Sequence, residues 1–390
     1  NMESDKIMEE IDMEFDFVLP SRIRYGKGIV EKLDGELDKL SAKKIMVVCD
    51  KGIVKAGILE KILEHVGDGK EIVIYDEVEA NPKDYNVQRG ADLAARENVD
   101  VLVAVGGGSP IDAAKGISVL ARQGGAIRDY ARKQIGEDCI RLLTIPTTAG
   151  TGSEITFSSV ITDTEENFKF TIKSPAVAAK VALVDPELTY TLPKLVTAST
   201  GIDALTHAIE GYTATCTEPI AEALGLYAVE YIAKYIVRAV KDGSDEEARD
   251  GMMMGSLLAG LSFSHSDVAS VHCMAEALGS IYDKPHGLCN SIILPHIMSE
   301  NLPFSLHKYA RVARAMGIKE DDDEKAAKEG IELIRTMSAE IGLPDFKSLG
   351  IDPEKFRLLS ELSEKNGSNG SNPKSMNADD YEKLFYKMSK

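Results

Sequence analysis

VLVAVGGGSPIDAAKG, residues 101–116, is the stretch from which the fold is read. Five apolar residues in a row, three of them β-branched, describe a strand buried on both faces, as in a parallel sheet. Three glycines follow, then Ser109 and Pro110, and a helical pattern opens at Ile111. Proline suits the first turn of a helix, where its missing N–H costs nothing. A tight strand-to-helix turn needs one glycine. Three let a backbone come close to a ligand, and the helix N-terminus offers free N–H groups and positive dipole to a phosphate. The loop is neither GxGxxG nor a Walker loop, because no Gly-Lys-Ser/Thr follows.

Similar short runs flank it at residues 44–50 (KIMVVCD), 71–76 (EIVIYD), 141–146 (RLLTIP) and 181–185 (VALVD). Helix-length patterns lie between them, at 53–66 and 86–97. Strand–helix–strand alternation predicts a doubly wound α/β domain. Residues 156–162 and 168–173 flank the polar turn DTEEN and predict an inserted hairpin. Beyond Pro193 strand signals stop. Helical patterns follow at 197–213, 218–241, 245–263, 267–281, 323–342, 352–365 and 377–388. The expected division is an α/β domain over 1–190 and an all-α domain over 191–390. Residues 366–373 (NGSNGSNP) read as a polar loop, since only one helix follows them.

The 390 residues carry 45 Lys and Arg against 63 Asp and Glu, a net charge of −18. That balance excludes a duplex-binding role, which requires a cationic surplus, and argues against anionic membranes. A hydrophobic fraction of 44% excludes general disorder. No window approaches 18 apolar residues, so no membrane helix is expected. Residues 1–17 are charged and contain no apolar signal-peptide core. Five scattered cysteines without a CxxC fit reduced thiols and a cytoplasmic setting.

Residues 146–154 (PTTAGTGSE) form a second Gly/Thr-rich loop after a strand, at the sheet edge where doubly wound folds bind ligands. Asp50 ends its strand, where a carboxylate either accepts from a ribose 2′-OH, favouring NAD over NADP, or caps the next helix. Seven histidines are available to build a metal site. In GIDALTHAIEGY, Asp203 and His207 are four apart, so they share a helix face. His272 and Glu276 repeat that spacing in VHCMAEALG, and His286 follows in KPHGLCN. Three histidines and one carboxylate suit Fe²⁺ or Zn²⁺ with a position left for substrate. His65, His265, His296 and His307 are read as ordinary.

Together GGGSPIDAAKG, PTTAGTGSE, DPELTYTLP, GIDALTHAIEGY and HCMAEALGSIYDKPHGLCN closely resemble the iron-containing (group III) alcohol dehydrogenases, in order and spacing, from about Tyr25 to Pro295. The last ninety or so residues match only loosely. The resemblance implies a Rossmann-like N-terminal domain, a helical C-terminal domain and an active site between them. It implies metal ligation by Asp203, His207, His272 and His286. It implies cofactor contacts from Asp50, Asn81, Gly107, Gly108, Ser109, Asp112, Thr147, Thr148, Thr151 and Lys169. Aspartate at 50 resembles the NAD-preferring version of the family, and a homodimer or larger oligomer is implied.

One position departs. Many members carry H-x-M-x-H, with a second histidine near the nicotinamide; here Glu276 stands in its place. Glutamate needs a raised pKa to shuttle a proton near neutrality. Its other expected roles are an electrostatic contact with the cofactor or a hold on Lys284. The expected activity is reversible, metal- and NAD-dependent interconversion of a primary alcohol or diol with its aldehyde or ketone. Same-fold rivals are a glycerol dehydrogenase, a dehydroquinate synthase-like lyase, a metal-free maleylacetate-reductase-like enzyme, and a non-catalytic nucleotide- or metal-binding relative. The Tyr-x-x-x-Lys pair of short-chain dehydrogenases occurs only at Tyr190–Lys194, broken by Pro193, and at the terminal Tyr386–Lys390.

Overall fold

Six strands align in one all-parallel sheet in the computed structural model, which describes residues 14–390. They are β1 (Arg22–Tyr25), β2 (Lys44–Val48), β3 (Glu71–Tyr75), β4 (Val101–Gly106), β5 (Arg141–Pro146) and β8 (Val181–Val184), in the order β1-β8-β5-β4-β2-β3. Alternate residues of a strand point to opposite faces. Met46, Val48, Leu102 and Ala104 therefore enter one core, while Ile45, Val47, Val101, Val103 and Val105 enter the other. Helices α1 (Leu33–Lys39), α2 (Lys51–Lys55), α3 (Ile58–Leu63), α4 (Asp84–Arg96) and α5 (Gly108–Gln123) connect the strands. The segment 53–66 thus divides into two short helices instead of one. The hairpin is present as antiparallel β6 (Ser158–Asp163) and β7 (Phe168–Lys173).

β1 lies outside the expected runs. Its sequence RIRY is short and half charged; it pairs in parallel with β8 at the sheet edge, and Arg22 and Arg24 reach Glu36 while Tyr25 donates to the Asp250 carbonyl.

The chain leaves the sheet at Val184 and enters the helical half at Lys194. That half contains α6 (Lys194–Thr213), α7 (Pro219–Lys241), α8 (Glu246–His265), α9 (Ser270–Tyr282), α10 (His286–Asn301), α11 (Leu306–Ala315), α12 (Asp323–Glu340), α13 (Phe356–Lys365) and α14 (Ala378–Met388). α10 and α11 had no counterpart in the sequence reading. Pro295 lies inside α10. Proline removes one helical hydrogen bond and reads as a break, yet buried apolar residues on both sides carry the helix through it. Residues 366–373 are more ordered than a plain loop: Gly367–Ser371 is a 3-10 turn, with Ser371 and Asn372 buried. Among the described residues no helix is long and apolar enough to cross a membrane. Residues 1–13, most of the charged opening stretch, lie outside the described residues.

Candidate metal centre and dinucleotide cleft

α6 presents Asp203 and His207 from successive turns, α9 contributes His272, and His286 begins α10. One ligand atom from each of the four lies within 4.8 Å of the others. Nε2 of His207 and Nε2 of His272 are 3.0 Å apart. Oδ1 of Asp203 is 3.9 Å from Nε2 of His286. Asp203, His207 and His272 are at most 5% exposed, while the His286 side chain is 26% exposed and marks the open side.

Burial pushes the Asp203 carboxyl up and drives the His207 and His286 imidazoles well down, toward the neutral form a metal ligand needs. Burial opposes charge on His272, but Glu210, together with Asp203 and Glu276, outweighs it and holds that imidazole above its ordinary value. Oε2 of Glu210 lies 2.5 Å from Nδ1 of His272. The same carboxylate accepts the Ala269 and Val271 amides at 2.9 and 2.8 Å, closing the N-terminus of α9. With Nδ1 engaged, Nε2 is the nitrogen left to face the cluster. Asn290, one turn beyond His286, donates from Nδ2 to Asp203 at 2.6 Å. Three imidazole nitrogens and a carboxylate oxygen thus lie close together. That donor set fits a divalent first-row cation.

The two Gly-rich loops lie at the carboxyl edge of the sheet. Gly106 takes φ +149°, and a Cβ there would meet Pro110 at 2.6 Å. Among the described residues no side chain caps α5, so its first amides are available to an anion. The loops touch each other: Thr147 donates to Gly106 across 3.0 Å, and Thr148 and Thr151 pack against Gly107 and Gly108. Gly152, at φ +59°, presses on α8, where a Cβ would sit 2.6 Å from the Gly260 Cα. One cavity of about 1300 Å³ is lined by Asn81, Gly108, Ser109, Asp112, Thr151 and Lys169, and also by His207, His272, His286 and Glu276.

Several expected cofactor residues also do internal work. Asp112 bonds Ser153, accepts the Val160 amide at 3.0 Å and so ties α5 to the hairpin. Asp50 caps α2, accepting Gly52 and Ile53 amides on Oδ1 at 2.7 and 3.0 Å. That engages one oxygen, so the capping role and a ribose contact are compatible. Lys169 on β7 donates to Oδ1 of Asn81 at 2.7 Å. Nδ2 of Asn81 donates to Asp283 at 2.9 Å, in the turn between α9 and α10.

Glu276 bonds Asn366, whose Nδ2 lies 2.7 Å from Oε2, rather than Lys284. His265 stacks on Phe17 with ring centroids 3.8 Å apart, which fits its ordinary reading. Glu210, Asn290 and the 366–371 turn were missed from sequence. The one signal for the first two was spacing: Glu210 lies seven residues after Asp203, and Asn290 four after His286.

The chain belongs to the iron-containing alcohol dehydrogenase family: the family's model, "Iron-containing alcohol dehydrogenase", matches residues 20–186. Its companion, "Fe-containing alcohol dehydrogenase family, C-terminal", matches residues 197–389. The chain is therefore an oxidoreductase of the alcohol dehydrogenase type. It is 39% identical to the choline dehydrogenase of Bacillus subtilis (strain 168) over 376 residues, 95% of this chain and 94% of the relative. It is 36% identical to the 1,3-propanediol dehydrogenase of Citrobacter freundii, over 95% of this chain and 98% of that one. Among solved structures, the alcohol dehydrogenase from Oenococcus oeni superposes with a TM-score of 0.93 at 34% identity, covering 96% of this chain and all of that one.

Proposed function

We propose that this chain is an NAD-dependent, metal-dependent dehydrogenase of small primary alcohols or diols. The observation that carries the reading is the convergence of Asp203, His207, His272 and His286 on one point in the cavity that the two Gly-rich loops also line. Asp203 and the three Nε2 atoms are the residues that would hold the ion, and Fe²⁺, with Zn²⁺ as the substitute, suits a mixed nitrogen–oxygen set. When bound, the ion supplies Lewis acidity to a hydroxyl and the dinucleotide accepts a hydride, so that alcohol and NAD⁺ become carbonyl compound, NADH and H⁺.

The protein's own part is positional. The free amides at the start of α5 receive phosphate, Asp50 keeps one carboxylate oxygen for a ribose hydroxyl, and Lys169, anchored on Asn81, faces the junction of the two halves. Burial holds His207 and His286 toward the neutral form in which an imidazole nitrogen can bind an ion. The ligand set favours this reading over a metal-free reductase. We also infer a homo-oligomer, supported by the exposed Phe15, Val18 and Leu19 just before β1, and a reducing cytoplasmic setting, supported by five free thiols.

The test is His272→Ala in purified protein, with metal content by mass spectrometry and NADH absorbance over a panel of alcohols. Loss of both the bound ion and turnover, with unchanged circular dichroism, is expected. Full turnover without the ion overturns the reading.

A further inference from the structure

The turn at Gly367–Ser371 is far from the family's motifs, yet it grips two carboxylates at the mouth of the cavity. Asn366 holds Oε2 of Glu276 at 2.7 Å. Ser368 and Ser371 donate to the two oxygens of Asp267 at 3.0 and 2.7 Å, and the Val268 amide adds a third bond at 2.9 Å. Both carboxylates line the cavity that holds His207, His272 and His286, as do Asn366, Phe157 and Phe263. They are close enough for Asp267 to raise the cost of charging Glu276.

Among the described residues neither carboxylate forms a salt bridge. Lys169 is the cation that Glu276 feels most strongly, but it donates to Asn81 instead. Among the described residues Glu276 has only Asn366 as hydrogen-bond partner. An enclosed carboxylate with an oxygen left over and another carboxylate nearby is unfavourable unless a cation completes it. Glu276 itself lines the cavity. Because His272 and Glu276 are four apart on α9, their side chains are neighbours about 5–6 Å apart at Cβ. A hydroxyl brought to the histidine cluster therefore places its β-substituent beside Glu276.

Resting on the dehydrogenase reading above, we propose that Glu276, backed by Asp267 and fixed by Asn366, selects primary alcohols that carry an ammonium group two carbons from the hydroxyl. Phe157 and Phe263 add aromatic surface of the kind that quaternary ammonium groups favour. The reaction is R₃N⁺CH₂CH₂OH + NAD⁺ → R₃N⁺CH₂CHO + NADH + H⁺. The carbinol carbon is oxidised by loss of a hydride to the nicotinamide, the hydroxyl proton leaves to water, and the ammonium is unchanged.

The experiment uses the metal-loaded enzyme and two isosteric alcohols, choline and its neutral carbon analogue 3,3-dimethylbutan-1-ol. The wild-type enzyme is expected to favour the cation by at least tenfold in kcat/KM. Glu276→Gln is expected to cut that ratio at least tenfold, chiefly through KM of the cation. Glu276→His, the residue common in relatives, is expected to reverse it, and Asp267→Asn to lower it less. Equal use of both alcohols by wild type overturns the proposal while leaving the dehydrogenase reading intact. Glu276→Gln slowing both alcohols by the same factor, with altered NAD⁺ affinity, also overturns it, because the cation served is then the oxidised nicotinamide. Turnover of no alcohol at all is the failure of the dehydrogenase reading.

Discussion

The carboxylate of Glu210 meets Nδ1 of His272 at 2.5 Å while two backbone amides of α9 end on the same group. Imidazole orientation and helix position are therefore set by one side chain. Glu210→Gln keeps the shape but replaces one of the two acceptor oxygens that His272 Nδ1–H and the two amides use, and Glu210→Ala leaves Nδ1 free. Outer-shell partners of this kind are worth about 10–100-fold in metal affinity. Titration calorimetry is expected to show weakening in that range for alanine, less for glutamine, and partial recovery with aspartate. Unchanged affinity in Glu210→Ala would mean that the pair only closes the helix.

Backbone crowding between the PTTAGTGSE loop and α8 makes a second prediction. Gly152 and Gly260 approach so closely that a Cβ on Gly260 would stand 2.9 Å from the Gly152 Cα. Neither partner is a flexible side-chain tip that can swing aside. Gly260→Ala is expected to destabilise by about 1–3 kcal/mol and to raise KM for NAD by shifting the loop. Chemical denaturation and steady-state kinetics on one preparation measure both.

Asp50 serves α2 through Oδ1. Removing the cap by Asp50→Ala is expected to cost about 1 kcal/mol of stability. The lost negative charge is also expected to raise kcat/KM for NADPH relative to NADH at least tenfold. A stability loss with an unchanged cofactor ratio would assign Asp50 to capping alone.

Glu154 is 2% exposed, its Oε1 has no partner among the described residues, and burial pushes its carboxyl up to about 7. A carboxyl whose folded pKa lies above its unfolded value prefers to be protonated when folded. Its contribution is fully present below about 4.5 and is lost as pH rises through about 7, by roughly 3 kcal/mol across that window. Glu154→Gln cannot ionise, so its melting temperature is expected to gain on wild type between pH 5 and 8. Parallel pH profiles of the two proteins would refute the assignment.

How much of this was legible beforehand follows from where each residue's information resides. β2, β4, β5 and β8 announced themselves because strands buried on both faces are apolar throughout. β1 is four residues, two of them arginine, whose partner is over 150 positions away, and nothing local marks it. Pro295 concealed α10, since tertiary burial overrode a local break. Asp203 with His207, and His272 with Glu276, each show the four-residue helical spacing that chemistry recognises. Glu210 and Asn290 are defined only by what they touch, and polar residues on a helix are common. The 366–371 turn is compositionally a flexible loop. Its meaning lies in contacts 90 to 104 residues distant along the chain.

Asn81 links three parts of the molecule with one amide. Held at φ +51°, it takes the Lys169 ammonium from the hairpin and gives its N–H to Asp283, three residues before His286. The nucleotide side and the ion side therefore share a hinge pin rather than merely a boundary. Thermodynamic reciprocity then applies: whatever factor the dinucleotide imposes on ion affinity through that pin, the ion imposes on the dinucleotide. Stripping the ion is expected to register as a change in cofactor dissociation constant, and Asn81→Ala to uncouple the two.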